Sequence, residues 1–229
     1  MKFTVLSLFP AILEGFFSES IMAKAVARGL LDYQLVNIRD YAYDKHHVCD
    51  DAPYGGGAGM VLKPEPLSRA LDAVGASGKK VVYPTPSGRK FNQEMALKLS
   101  EEDELVIICG RYEGVDQRVI DIYADDEISI GDYVISSGEV AAMVIVDAVY
   151  RQLDGVIAKE SLAEESFTQP LLEYPHYTRP EEFRGLRVPQ VLLSGHHAEI
   201  EAWRLNQRVE KTLKYRPELL RNPDENGHL

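Results

Sequence analysis

An alternation of strand-like and helix-like segments, running from the N-terminus to about residue 155, most constrains how this 229-residue chain can fold. Short apolar runs predict five strands, at Phe3–Leu8, Gln34–Arg39, Lys80–Tyr83, Leu105–Cys109 and Glu127–Ser129. The segments between and after them predict helices, at Pro10–Ala27, Pro64–Val74, Asn92–Leu99, Val115–Ile122 and Gly138–Gln152. This alternation predicts an α/β fold with a mostly parallel sheet flanked by helices.

Two polar turns rich in glycine follow predicted strands. The strand Leu105–Cys109 stops at a glycine, and the turn Gly110–Gly114 then carries a cation, a phenol and a carboxylate. The segment Ser129–Glu139 has the same character. Because ligands in open α/β sheets sit beyond the carboxyl ends of the strands, both turns are candidate binding loops.

After residue 157 the alternation ends. Residues 158–174 include the polar, acidic run Lys159–Ser166, which predicts a flexible linker. A third glycine-rich segment, Gly55–Gly59, lies earlier in the chain, but it lacks the spacing of a phosphate-binding loop. On its residues alone it is a flexible loop.

The tail, residues 175–229, is predicted to form a small helical domain. Apolar residues recur at helical spacing at Ala198, Ala202, Leu205, Val209 and Leu213. Ser194 is predicted to cap the N-terminus of this helix. Three basic residues share another face of it: Arg204, Arg208 and Lys211. That face has two interpretations, a surface for phosphate contact or an ordinary solvated face.

The net charge of −11 argues at first sight against a nucleic-acid-binding protein. Its distribution weakens that argument. Residues 1–169 hold 16 Lys and Arg against 27 Asp and Glu, whereas residues 170–229 hold 9 of each. The tail can therefore present a local basic surface, which is what selective RNA binding requires.

The cysteine and histidine patterns predict no disulfide and no metal site. The two cysteines, Cys49 and Cys109, lie far apart in the sequence, which fits a reducing cytoplasm. The histidines occur partly as adjacent pairs, His46-His47 and His196-His197, and neighbouring residues rarely converge on one metal. No apolar run approaches the roughly eighteen residues that span a bilayer, so no membrane association is expected. The apolar start of the chain, Met1–Leu6, is interpreted as a strand and not as a signal peptide.

Six segments, in this order, resemble the bacterial tRNA (guanine-N1)-methyltransferases, which belong to the knotted SPOUT methyltransferases. They are Asp50–Met60, Tyr83–Gly88, Ile107–Asp116, Ser129–Glu139, Pro175–Pro180 and Ser194–His197. The resemblance covers nearly the whole chain. It implies transfer of a methyl group from S-adenosylmethionine to N1 of the guanine at tRNA position 37, beside the anticodon.

The same resemblance implies an architecture. Residues 1–157 would form the S-adenosylmethionine-binding catalytic domain, ending in a C-terminal trefoil knot. Residues 158–174 would form the linker, and residues 175–229 the tRNA-binding domain. The family is dimeric, with each site shared between subunits, so a homodimer is expected.

Site residues also follow from the resemblance. Those expected to bind the cofactor are Tyr83, Pro84, Thr85, Pro86, Gly110, Tyr112, Glu113, Ser129, Ile130, Gly131, Tyr133, Ile135 and Gly138. Those expected to bind tRNA are Asp50, Gly59, Arg204, Arg208 and Lys211. The glycine-rich segment Gly55–Gly59 would then close over the target nucleotide.

Two residues are expected to carry the chemistry, Arg151 and Glu165. On its own, Arg151 would be interpreted as a surface arginine at a helix C-terminus; the resemblance makes it the catalytic arginine. Glu165 stands where the family usually has the aspartate taken to be the base, and Glu164 is the alternative. A further departure is Ser136-Ser137 followed by Ala141, where many relatives have a glycine pair and a proline.

Two alternatives remain. One is a related SPOUT enzyme that methylates another RNA base or ribose. The other is a non-catalytic RNA-binding module with a degenerate cofactor site, against which the Gly110–Asp116 motif and the carboxylate of Glu165 argue.

Overall fold

The structure is a computed structural model and describes residues 1–158, 161–162 and 165–220. The chain divides into two compact units, Met1–Ile157 and Ala158–Leu229. The strands of the first unit are β1 (Lys2–Ser7), β2 (Asp32–Asn37), β3 (Asp50–Asp51), β4 (Val61–Leu62), β5 (Lys80–Lys90), β6 (Glu104–Ile108) and β7 (Asp126–Ser129). Its helices are α1 (Ala11–Ser18), α2 (Ser20–Ala27), α3 (Pro64–Ala73), α4 (Gln93–Ser100), α5 (Gln117–Tyr123) and α6 (Gly138–Tyr150).

Five of these strands form one sheet in the order β2-β1-β6-β5-β7, and every neighbouring pair in it is parallel. The prediction of an α/β fold with a parallel sheet flanked by helices is confirmed. Apolar side chains cover both faces of the sheet: one cluster includes Phe3, Phe17 and Ile107, and the other includes Leu6 and Ile108. Because both of its faces are buried, the central strand β6 is a continuous apolar run from Leu105 to Ile108 instead of an alternating one.

Cys109 lies at the end of β6, just before the glycine turn. Its side chain is completely buried, and its backbone N–H donates to the Leu6 carbonyl at 2.9 Å. Burial raises the pKa of its thiol well above the usual value. The last residue of the predicted strand is thus fixed at the boundary between the core and the turn.

Two predicted elements differ in extent. The segment predicted as one helix, Pro10–Ala27, is two helices, because Glu19 is extended and Ser20 has a φ of 58°. The second predicted strand ends at Asn37, and a 3-10 helix, Ile38–Tyr41, takes the place of its last two residues. The break lets α1 and α2 bury different residues, Phe17 and Met22 among them, in the same apolar cluster.

The strand β5 is longer than predicted and pairs irregularly with β7. Both Pro84 and Arg89 are paired with Ile128, so the residues between them bulge out of the ladder. Strand β7 lies outside β5 in the sheet, yet Gly138, after the next loop, donates to the carbonyl of Gly110 at the end of β6. The chain therefore crosses the end of β5 between β7 and α6.

Between residues 175 and 220, the second unit contains a hairpin and two helices. The hairpin strands are β8 (Glu182–Phe183) and β9 (Leu186–Arg187), and the helices are α7 (Gln190–Leu193) and α8 (His197–Tyr215), followed by a 3-10 turn at Pro217–Leu220. The prediction that Ser194 caps α8 is wrong. The residue at the N-cap is His196, and the Ser194 hydroxyl donates to the Val191 carbonyl and accepts from the His196 N–H.

The long helix α8 forms as predicted, but its faces are used unexpectedly. Within the second unit the apolar residues Leu205 and Leu213 are 52% and 58% exposed. Thr212, on the basic side of the helix, is fully buried. Its hydroxyl accepts from the Leu172 N–H at 2.9 Å and donates to the Arg208 carbonyl at 2.7 Å. The basic side of α8 therefore packs against the chain that precedes it.

Among the described residues, no helix combines the length and the apolar character that crossing a membrane requires.

Candidate active site

A cavity of about 250 Å³ lies at the carboxyl ends of β6 and β7 and beside the bulge in β5. Its walls include all thirteen residues predicted to bind a cofactor, from the three segments Tyr83–Pro86, Gly110–Glu113 and Ser129–Gly138. Arg111, Val134, Ser136 and Ala141 also line it. The structure thus brings together three loops that are remote in sequence, at the edge of the sheet where α/β proteins bind ligands.

Tyr83 forms a wall beside the glycine turn. Its side chain is 8% exposed, and a Cβ added to Gly110 would lie 3.0 Å from its hydroxyl oxygen. Burial raises the pKa of Tyr83, against the opposing effect of a backbone hydrogen bond from Val115. The phenol therefore stays neutral at physiological pH. Its hydroxyl would be in tight contact with any side chain at position 110.

The loop after β7 is shaped by Gly131. This residue has a φ of 152°, and an added Cβ would collide with the ring of Tyr133. The Ser129 hydroxyl donates to the Gly131 carbonyl at 3.1 Å, which closes a tight turn. The turn presents Tyr133, 55% exposed, at the mouth of the cavity.

The glycine turn itself carries local strain. Tyr112 adopts a φ of 58°, an uncommon conformation for a residue with a side chain. The turn is held by the segment that precedes α3, because Glu113 N–H donates to the Met60 carbonyl at 3.0 Å and Leu62 N–H to the Gly114 carbonyl at 3.0 Å. Strained residues that the surrounding structure holds in place are frequent at functional sites.

The same contacts place one predicted tRNA-binding residue beside the cavity. Gly59 has a φ of 84°, and a Cβ added there would collide with the side chain of Glu113. Asp50, the other one in this unit, lies in the short hairpin in which β3 pairs with β4, opposite Leu62. The hairpin, which the sequence did not predict, connects both residues to the glycine turn.

Arg151 ends α6 and is partly buried. It lies near enough to Tyr150 to act on its titration: burial and the charge of Asp147 raise the pKa of the Tyr150 phenol, while Arg151 opposes that rise. The arginine thus belongs to a charged cluster at the helix C-terminus, where the helix dipole favours a cation.

Glu165 belongs to the second unit and is partly buried. It begins a compact turn in which Ser166 is bridged to Gln169, and the Ser166 hydroxyl accepts from the Glu173 N–H at 3.0 Å. The turn includes Phe167, whose φ is 72°. Glu164, the alternative base, lies outside the described residues, as do positions 159, 160 and 163 of the predicted linker.

The three basic residues of α8 are all partly buried. The guanidinium of Arg204 lies 4.7 Å from the ring centre of Tyr174. Arg208 Nε donates to the Leu172 carbonyl at 3.3 Å, and its Nη1 lies 3.5 Å from the side-chain oxygen of Gln169. At least Arg204 and Arg208 therefore help to hold the chain that precedes α8, which a purely solvated face would not do. Lys211 is on the same side of the helix.

The sequence pointed to Arg111 only as the cation of the glycine turn, and it assigned no site role to the three residues around it. Glu139 is completely buried and pairs with Arg111, which also lies over the ring of Phe9 at 4.8 Å. The hydroxyl of Ser7 also donates to Glu139. A carboxylate in the first turn of an otherwise apolar helix was the available signal, since such a group needs a buried partner.

Metal ligation has no obvious place in this arrangement. Within residues 1–158, 161–162 and 165–220, no group of three or more His, Cys, Asp or Glu side chains is arranged to hold an ion. Of the His46-His47 pair, His47 contacts the backbone: its Nδ1 lies 3.1 Å from the Arg39 carbonyl oxygen.

Comparison with known proteins agrees with the geometry. Residues 1–222 match the family described as tRNA (guanine-1)-methyltransferase TrmD. The chain is 66% identical to the tRNA (guanine-N(1)-)-methyltransferase of Treponema denticola over 220 residues, which covers 96% of this chain and 90% of that protein. It is 62% identical over 221 residues to the protein of the same name from Borreliella burgdorferi, covering 96% and 92% of the two chains. The match to the one from Treponema pallidum is 59% over 220 residues, covering 96% and 88%. With the three loops around one cavity and a match over nearly its whole length, the chain belongs to the tRNA (guanine-1)-methyltransferase family.

Proposed function

We propose that this protein transfers a methyl group from S-adenosylmethionine to N1 of the guanine at position 37 of tRNA. One observation carries the proposal: in a chain of this family, all thirteen residues expected at the cofactor line one cavity at the carboxyl ends of the parallel strands. The relatives are named for methylation of guanine N1 in tRNA, and that is the activity we assign here.

The cavity has the character that an adenosine-like cofactor needs. Its glycines expose backbone N–H and C=O groups, which give hydrogen-bonding partners without bulk. Tyr83, Ile130 and Ile135 supply apolar and aromatic walls for a base and a ribose. Glu113 and Arg111 supply opposite charges at the rim, suited to an amino-acid moiety with both an ammonium and a carboxylate. When bound, S-adenosylmethionine would supply an electrophilic methyl group.

The reaction needs a base and a cation from the protein. Guanine N1 carries a proton at neutral pH, and the carboxylate of Glu165 would accept it. Loss of that proton moves negative charge onto O6, and the guanidinium of Arg151 would stabilise it. The glycine turn and the loop at Gly131 would hold the reacting groups in line, which is a positioning task.

Binding of tRNA would use both units. Asp50 and Gly59 in the first unit would contact the target nucleotide, and Arg204, Arg208 and Lys211 in residues 175–229 would contact the phosphates. Residues 158–174 would then act as the linker that carries Glu165. A protein that modifies tRNA would work in the cytoplasm.

The crossing at the end of β5 supports the proposal of a trefoil knot. The segment between β7 and α6 passes the bulged end of β5 before it reaches Gly110, as a threaded chain would. Two apolar residues one turn apart on α6, Val140 and Val144, are 42% and 44% exposed. On a helix so apolar, this exposed pair is suited to the homodimer that we propose.

One assay tests the activity. Purified protein, S-adenosylmethionine and a tRNA transcript with guanine at position 37 should yield N1-methylguanosine on nucleoside analysis. The same transcript with that base replaced should yield none. Methylation that persists on the second transcript, or a different modified nucleoside, would indicate a related enzyme of other specificity. Cofactor binding by calorimetry without any transfer would indicate a non-catalytic RNA-binding module.

A further inference from the structure

The side chain of Glu139 lies where three loops of the first unit meet. It is on the first turn of α6 and is completely buried, an unusual position for a carboxylate. One oxygen accepts a hydrogen bond from Ser7 at the end of β1. The other accepts from Ser137 at 2.7 Å and lies 3.0 Å from Nε of Arg111.

Arg111 is held from three sides. Its side chain is only 18% exposed, its Nη1 donates to the Ser136 carbonyl at 3.4 Å, and its guanidinium carbon lies 4.8 Å from the centre of the Phe9 ring. The Phe9 N–H in turn donates to the hydroxyl of Ser7 at 2.7 Å. Together these contacts join the segments after β1, β6 and β7 to the same charged pair.

The start of α6 lies in close contact with the glycine turn. A Cβ added to Gly138 would lie 2.6 Å from the backbone nitrogen of Gly110 and 2.8 Å from its oxygen. The loops that follow β6 and β7 are thus in direct contact at Gly138. The Glu139–Arg111 ion pair joins the same two loops beside this contact. Each oxygen of Glu139 also accepts a serine hydroxyl, which holds the carboxylate in one orientation.

We propose that Glu139, through Arg111, Ser137 and Ser7, is a positioning residue that sets the shape of the cofactor cavity. The inference rests on the proposed use of S-adenosylmethionine. Glu139 does not line the cavity, so it would act on the cofactor only through the loops it joins.

Strand β1 offers a matched control at its other end. There the Thr4 hydroxyl donates to the carboxylate of Glu104 at 2.7 Å, and Lys79 pairs with that carboxylate at 3.0 Å. Burial raises the pKa of Glu104, but the hydrogen bonds from Thr4 and Lys79 outweigh it and the net shift is downward. The same strand therefore carries two hydroxyl–carboxylate pairs, one at the cavity and one away from it.

The test compares Ser7→Ala and Glu139→Gln with Thr4→Val and Glu104→Gln. Calorimetry with S-adenosylhomocysteine and thermal unfolding without ligand are measured for all four. Glu139→Gln should weaken cofactor binding about tenfold or more, the equivalent of about one charge-assisted hydrogen bond. Ser7→Ala should weaken it in the same direction, although Ser7 does not line the cavity. Thr4→Val and Glu104→Gln should lower the unfolding temperature and leave cofactor affinity unchanged.

The double variant Glu139→Gln/Arg111→Met tests charge balance alone, through its unfolding temperature, because Arg111 itself lines the cavity. It removes both charges, so its unfolding temperature should recover relative to that of Glu139→Gln. In steady state, Glu139→Gln should raise the KM for the cofactor and leave the KM for tRNA unchanged. Cofactor affinity within twofold of wild type in both Ser7→Ala and Glu139→Gln would overturn the proposal. Should wild-type protein bind no cofactor, the proposed function itself fails. If Glu139→Gln does not fold, the Ser7→Ala and Thr4→Val pair alone decides.

Discussion

At the scale of single residues, the proposed reaction depends most on Glu165, because guanine N1 must lose its proton before the methyl group can be transferred. Glu165→Gln keeps the size of the side chain and removes its basicity. Single-turnover methyl transfer should therefore fall by a factor on the order of 10²–10⁴ while tRNA and cofactor still bind. The measurement is rapid quench at saturating concentrations of both ligands.

Two further variants control that experiment. Raising the pH should partly restore the Glu165→Gln variant, since solvent can then take the N1 proton. Arg151→Ala should be slow at every pH, because its loss leaves the charge on O6 unmatched. A severe defect in Glu164→Gln combined with a mild one in Glu165→Gln would move the base by one residue.

Gly110 supports a prediction about space. A side chain there would meet Tyr83 at 3.0 Å, so Gly110→Val should weaken cofactor binding severely by displacing the phenol or the turn. Gly15 is the matched control, because an added Cβ there meets nothing within 4 Å. Calorimetry should show near wild-type affinity for Gly15→Val. Equal affinity in a folded Gly110→Val protein would mean that the turn does not bind the cofactor.

At this scale, a contact could be predicted only where its residues are close to each other in the sequence. Gly110 and Tyr112 stand together in one motif, so their common turn was visible in the sequence. Glu139 comes from helix α6 and Ser7 from strand β1, and their meeting depends on the order of strands in the sheet. No local pattern contains that order.

At the scale of elements, helix α8 shows what periodicity gives and what it omits. The spacing correctly predicted the helix and which residues share each of its faces. It did not predict that the basic side packs inward within the second unit, leaving Leu205 and Leu213 exposed. The reason is that the neighbouring segment offers carbonyl groups, such as that of Leu172, which an arginine satisfies and a leucine cannot.

This packing makes the basic side testable. Arg208→Glu should weaken tRNA binding and lower its dependence on salt, with cofactor binding intact. Because Arg208 also contacts Leu172, Thr212→Val is the necessary control: it removes the buried hydroxyl of α8 that contacts the same residue, without changing charge. Filter binding over a range of salt concentrations decides. If both variants lose the same amount of tRNA affinity, and tRNA binding keeps the wild-type dependence on salt, then Arg208 has a purely structural role.

At the scale of the whole molecule, alternation of strands and helices predicted the parallel sheet but not its order. The order of the strands depends on the face of the sheet over which each connection between strands passes. The bulge in β5, where the chain crosses between β7 and α6, involves only a few residues. Likewise, the break at Ser20 divides a helix that looks continuous in its apolar pattern. Long-range packing selects among topologies that local signals leave equivalent.

The proposed homodimer yields a prediction about mixed subunits. If each site takes Glu165 from one subunit and Arg151 from the other, both single variants are inactive alone. Mixing Glu165→Gln with Arg151→Ala and allowing exchange should then restore activity to roughly a quarter of wild type, since about half the dimers are mixed and each has one intact site. No recovery in a proven mixed dimer would place both residues of a site in one subunit.

The buried thiol at the end of β6 has a practical consequence. Cys109 cannot react with an alkylating reagent until the adjoining turn opens, because its side chain is inaccessible and its pKa is raised. In a Cys49→Ser background it becomes a single reporter of that opening. Bound S-adenosylhomocysteine should slow its alkylation in proportion to occupancy, as a ligand suppresses local opening. Mass spectrometry of timed samples would then follow the opening of the glycine turn in the intact enzyme, without turnover.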